Sequence, residues 1–298
     1  MLGYFAAFIS IFIWGITFVS TKVLLIDFSP MEILFLRYII AYVSLWILYP
    51  RTIKLTPKEN ISVAKQEIYF AFAGLTGVFL YQLLENIAIN ISTASNVSII
   101  VATAPIFTGL GVHLFLKHEL KKLTPFFFLG FICAIIGIAF VSFNGTVVLK
   151  LNPLGDGLAL ISAIMWAIYS IIMSKINSLG YPTLGATRKI FGYSILLMIP
   201  VSFFLGMDYS PEVNIARFSK PMNWINLIFL GVGASALCFS AWAKALKILG
   251  VVKTSVYIYL IPVITLFFAA IILHEKITLM ALIGTGLTIL GLLLSEKK

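Results

Sequence analysis

The chain has 298 residues, 61% of them hydrophobic and 11% charged, with a formal net charge of +10. Soluble domains run near half apolar and about a quarter charged, so a water-soluble fold of this composition would leave large apolar patches against water. The basic residues fall in short stretches between apolar runs, which is how cytoplasmic Lys and Arg orient membrane proteins and gives no reason to expect a nucleic acid partner.

A span needs about 20 mainly apolar residues to cross a ~30 Å core at 1.5 Å per residue. In chain order the sequence predicts ten: Gly3–Val23, Met31–Tyr49, Ile68–Ile89, Ala94–Leu116, Pro125–Phe143, Gly155–Ser174, Leu184–Gly206, Trp224–Ala243, Val251–Leu273 and Ile277–Leu294. The first lacks a basic leading region and a small-residue cleavage site, so it reads as a span rather than a leader. Pro30, Pro125, Pro182 and Pro221 stand at or just before helix starts, where a missing N–H costs little. Cys133 and Cys238 lie inside apolar runs and read as small packing residues, not a disulfide or metal pair.

Charge sets the orientation. With the N-terminus inside, the inner loops hold Arg51, Lys54, Lys58, Lys65, Lys117, Lys121, Lys122, Lys175, Lys244 and Lys247, and the tail adds Lys297 and Lys298. The outer loops hold Lys150, Arg217, Lys220 and Lys276. This bias places both termini in the cytoplasm.

The two halves, residues 1–148 and 149–298, repeat one another. Gly3, Ala7, Ser10, Trp14 and Pro30 recur 152 residues later as Gly155, Ala159, Ser162, Trp166 and Pro182, with Lys189 in the place of Arg37. Gly74, Leu80, Ser98, Pro105 and Thr108 recur after 157 as Gly231, Leu237, Ser255, Pro262 and Thr265. His118-Glu119 returns as His274-Glu275, and Gly130 and Gly137 as Gly284 and Gly291. Five helices per half is an odd number, so the second half enters the membrane inverted, which puts a site near the midplane at the interface of the halves. The expectation is an all-α integral membrane fold of ten transmembrane helices, two inverted five-helix repeats around a central cavity.

The run Trp14-Gly15-Ile16-Thr17-Phe18-Val19, then Lys22, Ser29-Pro30 and Phe35-Leu36-Arg37, resembles the opening motif of the EamA-type drug/metabolite transporter superfamily. Leu84-Glu85-Asn86-Ile87-Ala88, Thr93-Ala94-Ser95-Asn96-Val97-Ser98 and Ala104-Pro105 are similar to its third-to-fourth helix motif. The resemblance covers the whole chain. It implies secondary transport of small metabolites, often export of amino acids or related compounds, from a bacterial inner (plasma) membrane. Nucleotide-sugar, sugar-phosphate and drug carriers belong to the same superfamily and stay open as alternatives.

An ionisable side chain at membrane depth is costly and marks a functional candidate. Glu85 is foremost, with Asn86 beside it and Tyr81 one turn earlier on the same face. It is placed either to exchange a proton, to bind a substrate ammonium group, or to serve as a structural carboxyl near the headgroups. Arg37, Lys189 and Lys253 are candidates for gating or charge pairing, with snorkelling to the interface as the alternative. Trp14 and Trp166 sit mid-span, away from the headgroup depth tryptophan favours, and either line a cavity or pack. Thr17 and Tyr169 extend their faces, and Asn96 and Tyr257 add polar contacts from the fourth and ninth helices. Pro105 and Pro262 mark hinges, since proline removes one helix bond.

An intramembrane enzyme is the rival from another class. His113, His118 and His274 are too scattered for a metal site, and there is no HExxH motif. A glycine-rich phosphate loop is also missing, so transport would run on a solute, proton or other ion gradient without a cofactor. The expected partners are the lipid bilayer, a small-molecule substrate and protons as a candidate coupling ion, with the chain as monomer or homodimer.

Overall fold

The computed structural model describes residues 1–58, 61–92, 97, 100–115, 124–143, 152–204, 207, 210–272 and 277–296. Helix α1 spans Leu2–Leu24 and α2 spans Pro30–Leu48. A long helix α3 spans Val63–Ile91, followed by α4 (Ala104–Phe115) and α5 (Pro125–Phe143). Then come α6 (Pro153–Ser178), α7 (Thr183–Ser202) and the short α8 (Pro211–Phe218). Helix α9 spans Pro221–Leu249. Helix α10 joins Val251–Ser255, a 3-10 stretch Val256–Leu260 and Ile261–Ile272, and α11 spans Leu279–Glu296.

Local chemistry sets these boundaries. At the head of α2, Ser29 Oγ accepts from Glu32 N at 3.2 Å while Ser29 N donates to Glu32 Oε2 at 2.7 Å, a reciprocal cap with Pro30 in the first turn. Asn152 caps α6 by accepting from Gly155 N at 3.1 Å. Gly250, at φ +83°, makes the tight turn between α9 and α10 in a conformation that side chains resist.

Among the described residues, seven helices are long and apolar enough to cross a membrane: α1, α2, α3, α6, α7, α9 and the Val251–Phe268 part of α10. Three further apolar stretches, Ala104–Phe115 of α4, Pro125–Val141 of α5 and Leu279–Ser295 of α11, run 10–17 residues. Seven of the ten spans read from the sequence thus stand, among the described residues, as helices of crossing length. The composition and these helices make the chain an integral membrane protein.

Helices α3 and α9 each contain a π-helical stretch, Gly74–Leu80 and Phe229–Leu237. Such stretches loosen backbone pairing and recur at functional sites. Each is crossed by a helix from the other half of the chain. Gly231 lies against Ile40 and the Arg37 carbonyl of α2, and Gly74 against the Ile190 carbonyl and Ser194 of α7. Helix α1 packs on α9 and α10, α6 packs on α3 and α4, and α2 packs on α7. The ring of Tyr169 on α6 sits so close to Gly77 that a Cβ there would lie 2.1 Å from it. Helices α5 and α11 pair mainly with each other, their backbones brought together at Gly130, Gly137, Gly284 and Gly291.

Candidate functional site

Where α1, α2, α3 and α6 converge, a cavity of ≈ 20 Å³ remains. That is room for a water and not for a metabolite. Its wall combines Trp14, Thr17 and Phe18 of α1, Arg37 of α2, Tyr81, Gln82 and Glu85 of α3, Trp166 of α6, and Val101 and Ile261. Helical spacing explains the α3 contribution, because Tyr81, Gln82 and Glu85 lie three and four residues apart just beyond the π stretch and so share one face.

The aromatic part of the wall continues into a cluster. The Trp14 and Trp166 rings meet edge to face, 5.3 Å between centroids, and both pack on Trp242 and Phe239 of α9. Tyr81 and Tyr169 flank Trp166 at 4.8 and 5.2 Å. Trp14 Nε1 donates to the Ala234 carbonyl at 2.9 Å, inside the α9 π stretch, where a helix carbonyl is available. The corresponding indole of Trp166 is buried and has no hydrogen-bond partner among the described residues.

The polar part of the wall is buried too. Arg37 is 2% exposed; its Nε donates to Ser235 Oγ at 3.0 Å and its Nη1 to Gln82 Oε1 at 2.7 Å. Glu85 is 7% exposed, with the Tyr81 hydroxyl against its carboxyl and its Oε2 accepting no hydrogen bond from the described residues. Thr17 Oγ1 turns back to the Trp14 carbonyl.

The other candidates lie elsewhere. Asn86 is buried and its amide reaches the Pro30 carbonyl at the start of α2, off the cavity wall. Tyr257 stacks near Tyr4, and Lys253 meets the Tyr4 hydroxyl and lies over its ring, so both belong to a contact between α10 and the start of α1. Pro105 and Pro262 stand second in their helical segments, each directly after an irregular or 3-10 turn. Asn96, Ser98, His118, Glu119, His274 and Glu275 lie outside the described residues. Among the described residues no three His, Cys, Asp or Glu side chains converge as metal ligands would.

Charged contacts close the molecule at both ends of α2. At the α1–α2 turn, Arg217 of α8 pairs with Glu32 at 2.8 Å, both buried, and stacks on Phe28 with 4.6 Å from guanidinium carbon to ring centre. Lys220 pairs with Asp27 at 2.6 Å, and Asn223 of α9 donates to the second Asp27 oxygen at 2.9 Å. These partners hold the Asp27 carboxyl below the usual carboxylate range. At the opposite end, Lys189 of α7 pairs with Glu67 of α3 at 2.9 Å, and Arg188 donates to the Tyr49 and Arg51 carbonyls at the end of α2. There the buried Gln66 of α3 accepts from Tyr181 Oη at 2.6 Å. Gln66 and Asn223 stand 157 residues apart, the spacing that relates the third long helix of one half to that of the other.

Apolar helices gathered around a buried polar centre define a polytopic membrane protein. The chain belongs to the EamA-like transporter family, whose model matches residues 1–143 and 153–296. It is 25% identical to an uncharacterized transporter of Archaeoglobus fulgidus over 298 residues, covering 97% of this chain and 96% of that one. It is 24% identical to the uncharacterized transporter YoaV of Bacillus subtilis, covering 95% and 92%. A solved crystal structure shares the fold with a TM-score of 0.77 at 16% identity, covering 99% of this chain and 96% of that one.

Proposed function

We propose that this chain is a secondary transporter that moves amino acids or related small zwitterions outward by alternating access. The observation that carries the reading is one buried pocket presenting a guanidinium, Arg37, and a carboxylate, Glu85, on an aromatic wall. A zwitterion matches that pair of charges. A sugar phosphate or nucleotide sugar brings more negative charge than one arginine beside one carboxylate would balance.

The repeat supports alternating access. Contacts pair up between the halves: α1 on α9 with α6 on α3, and α1 on α10 with α6 on α4. The crossing of α2 over the α9 π stretch matches that of α7 over the α3 π stretch. The family model also matches the chain twice, once in each half. With five helices per half the repeats are inverted, and two near-equivalent packings then expose the pocket to opposite sides in turn. Lys and Arg in the loops put the Asp27–Lys220 cluster outside and the Glu67–Lys189 pair inside a bacterial plasma membrane. Both clusters formed, with a cavity of ≈ 20 Å³ among the helices, is the arrangement expected of an occluded state in such a cycle. Glu85 is the group available to carry a proton when its oxygen is not holding an ammonium.

The test is uptake by purified protein in liposomes from a panel of labelled amino acids, nucleosides and sugar phosphates, with and without a pH gradient. Saturable amino-acid uptake supports the reading, and acceleration by the gradient supports proton coupling. Uptake of sugar phosphates alone would overturn the assignment of cargo, and no uptake by folded protein would overturn transport of metabolites.

A further inference from the structure

The chain buries three arginines, and their partners differ. Arg217 is neutralised by Glu32 at 2.8 Å. Arg188 meets the carbonyls of Tyr49 and Arg51, at the negative end of the α2 dipole. Arg37 alone of the three lines the cavity, and both hydrogen bonds that hold it come from neutral groups, the Ser235 hydroxyl and the Gln82 amide oxygen. Among the described residues no carboxylate stands within ion-pair distance of it. Glu85 lines the same cavity with one oxygen unpartnered, and the Trp166 indole N–H on that wall is unpartnered as well.

Glu85 across the same cavity offsets the guanidinium charge, but beyond ion-pair distance and without a hydrogen bond to it. The geometry at Arg37 is nevertheless well determined, because two of its N–H groups are pinned from two different helices. We infer that Gln82 and Ser235 are positioning residues that hold Arg37, outside any ion pair among the described residues, as a receptor for the cargo's carboxylate, and that the one-to-one balance of Arg37 and Glu85 selects zwitterions over amines. Neutral partners orient the guanidinium without competing for it. The arriving carboxylate then forms the direct ion pair through charge-assisted hydrogen bonds. Glu85 receives the ammonium, and the Trp166 N–H is the remaining donor for a second cargo oxygen. The inference rests on the transporter reading and adds what the pocket recognises and which residues set that recognition.

Gln82→Glu tests it with almost no change of shape. The new carboxylate sits on Arg37 Nη1, neutralises the receptor from within and leaves the pocket net negative. In liposomes, wild-type protein should take up leucine with its decarboxylated amine as a poor competitor. The Gln82→Glu variant should raise the half-saturating leucine concentration at least tenfold and make the amine the better substrate. Gln82→Met and Ser235→Ala, which unpin the guanidinium without adding charge, should weaken leucine several-fold while keeping the order of preference. Thermal stabilisation of the purified protein by leucine, acetate and the amine gives a readout independent of flux and reports folding of each variant. Wild-type protein that transports leucine, with Gln82→Glu leaving affinity and preference unchanged, overturns the inference and leaves the transporter reading standing. Wild-type protein that no carboxylate-bearing probe stabilises overturns the inference outright. Stabilisation by leucine and acetate that Gln82→Glu abolishes supports it, even if no flux is found and the transporter reading fails.

Discussion

Replacing Arg217 with methionine keeps the bulk of the side chain over Phe28 and removes the charge that faces Glu32. Removing one member of a buried pair costs about 3–5 kcal/mol, because the other charge is left uncompensated. Glu32 keeps its bond from Ser29 N at 2.7 Å, which argues for the low end, about 3 kcal/mol. The pair ties the α1–α2 turn to α8, and under the proposed alternating access it breaks when the outer end opens. The penalty then falls on outer-closed states alone, and at about 1.4 kcal/mol per tenfold the equilibrium moves roughly 100-fold toward an outer-open state. The assay is the labelling rate of Thr17→Cys, a cavity-wall position, by a membrane-impermeant maleimide applied from outside, with Cys133 and Cys238 replaced. Acceleration by one to two orders of magnitude is expected. A lowered melting temperature with unchanged labelling would show that the pair holds the fold together and does not gate it, which refutes the reasoning.

Three further perturbations separate the roles of neighbouring groups. Trp14→Phe and Trp166→Phe remove similar volume, but only Trp14 loses a hydrogen bond, to the Ala234 carbonyl. Trp14→Phe should therefore cost roughly 1 kcal/mol more stability by thermal melting, while Trp166→Phe should act more on cargo affinity. The Asp27 carboxyl is held below its usual range, so its contribution to the outer contact is full above the ordinary carboxylate value of about 3.9 and is lost as pH falls through the lowered one. Outer labelling of wild-type protein should stay flat from neutral to mildly acid pH, so far as Asp27 controls it, and rise only in strong acid; Asp27→Asn should raise it wherever the wild-type carboxyl is charged and remove the rise in strong acid. Gly137→Ala would set a Cβ 2.5 Å from Thr288 N and 2.6 Å from the Gly284 carbonyl. This should cost about 1–3 kcal/mol by overpacking, read as a lowered melting temperature, with half-saturation by cargo unchanged because the α5–α11 contact lies off the cavity.

Much of the cavity wall was legible because lipid makes polar residues conspicuous. Glu85 and Arg37 stand out as charges inside apolar runs, and Trp14 and Trp166 as paired landmarks of the repeat. Gln82 shares the face of Glu85 three residues on, yet a neutral amide raises no alarm in a hydropathy reading, and Ser235 looks like one more small residue in a packed helix. Trp242 and Phe239 give no sign in the sequence that they close the aromatic cluster. Lys253 and Tyr257 follow the turn at Gly250 and meet Tyr4 at the start of α1, a contact that spacing along the chain does not announce. Arg217 lies outside any span, where a cation is ordinary, and nothing in the chain around it announces a buried partner.

The sequence by itself determined the solvent, the helical class, the approximate spans and the twofold recurrence of landmarks. Each of these follows from composition and from spacing along one chain, since the cost of exposing a backbone or a charge to lipid is local. Only the tertiary structure decided which polar groups face one another. Arg37 meets Ser235 across 198 positions, and Glu32 meets Arg217 across 185. Whether a buried arginine is neutralised or left open to a ligand depends on helices far apart in the chain, and that choice is made by packing.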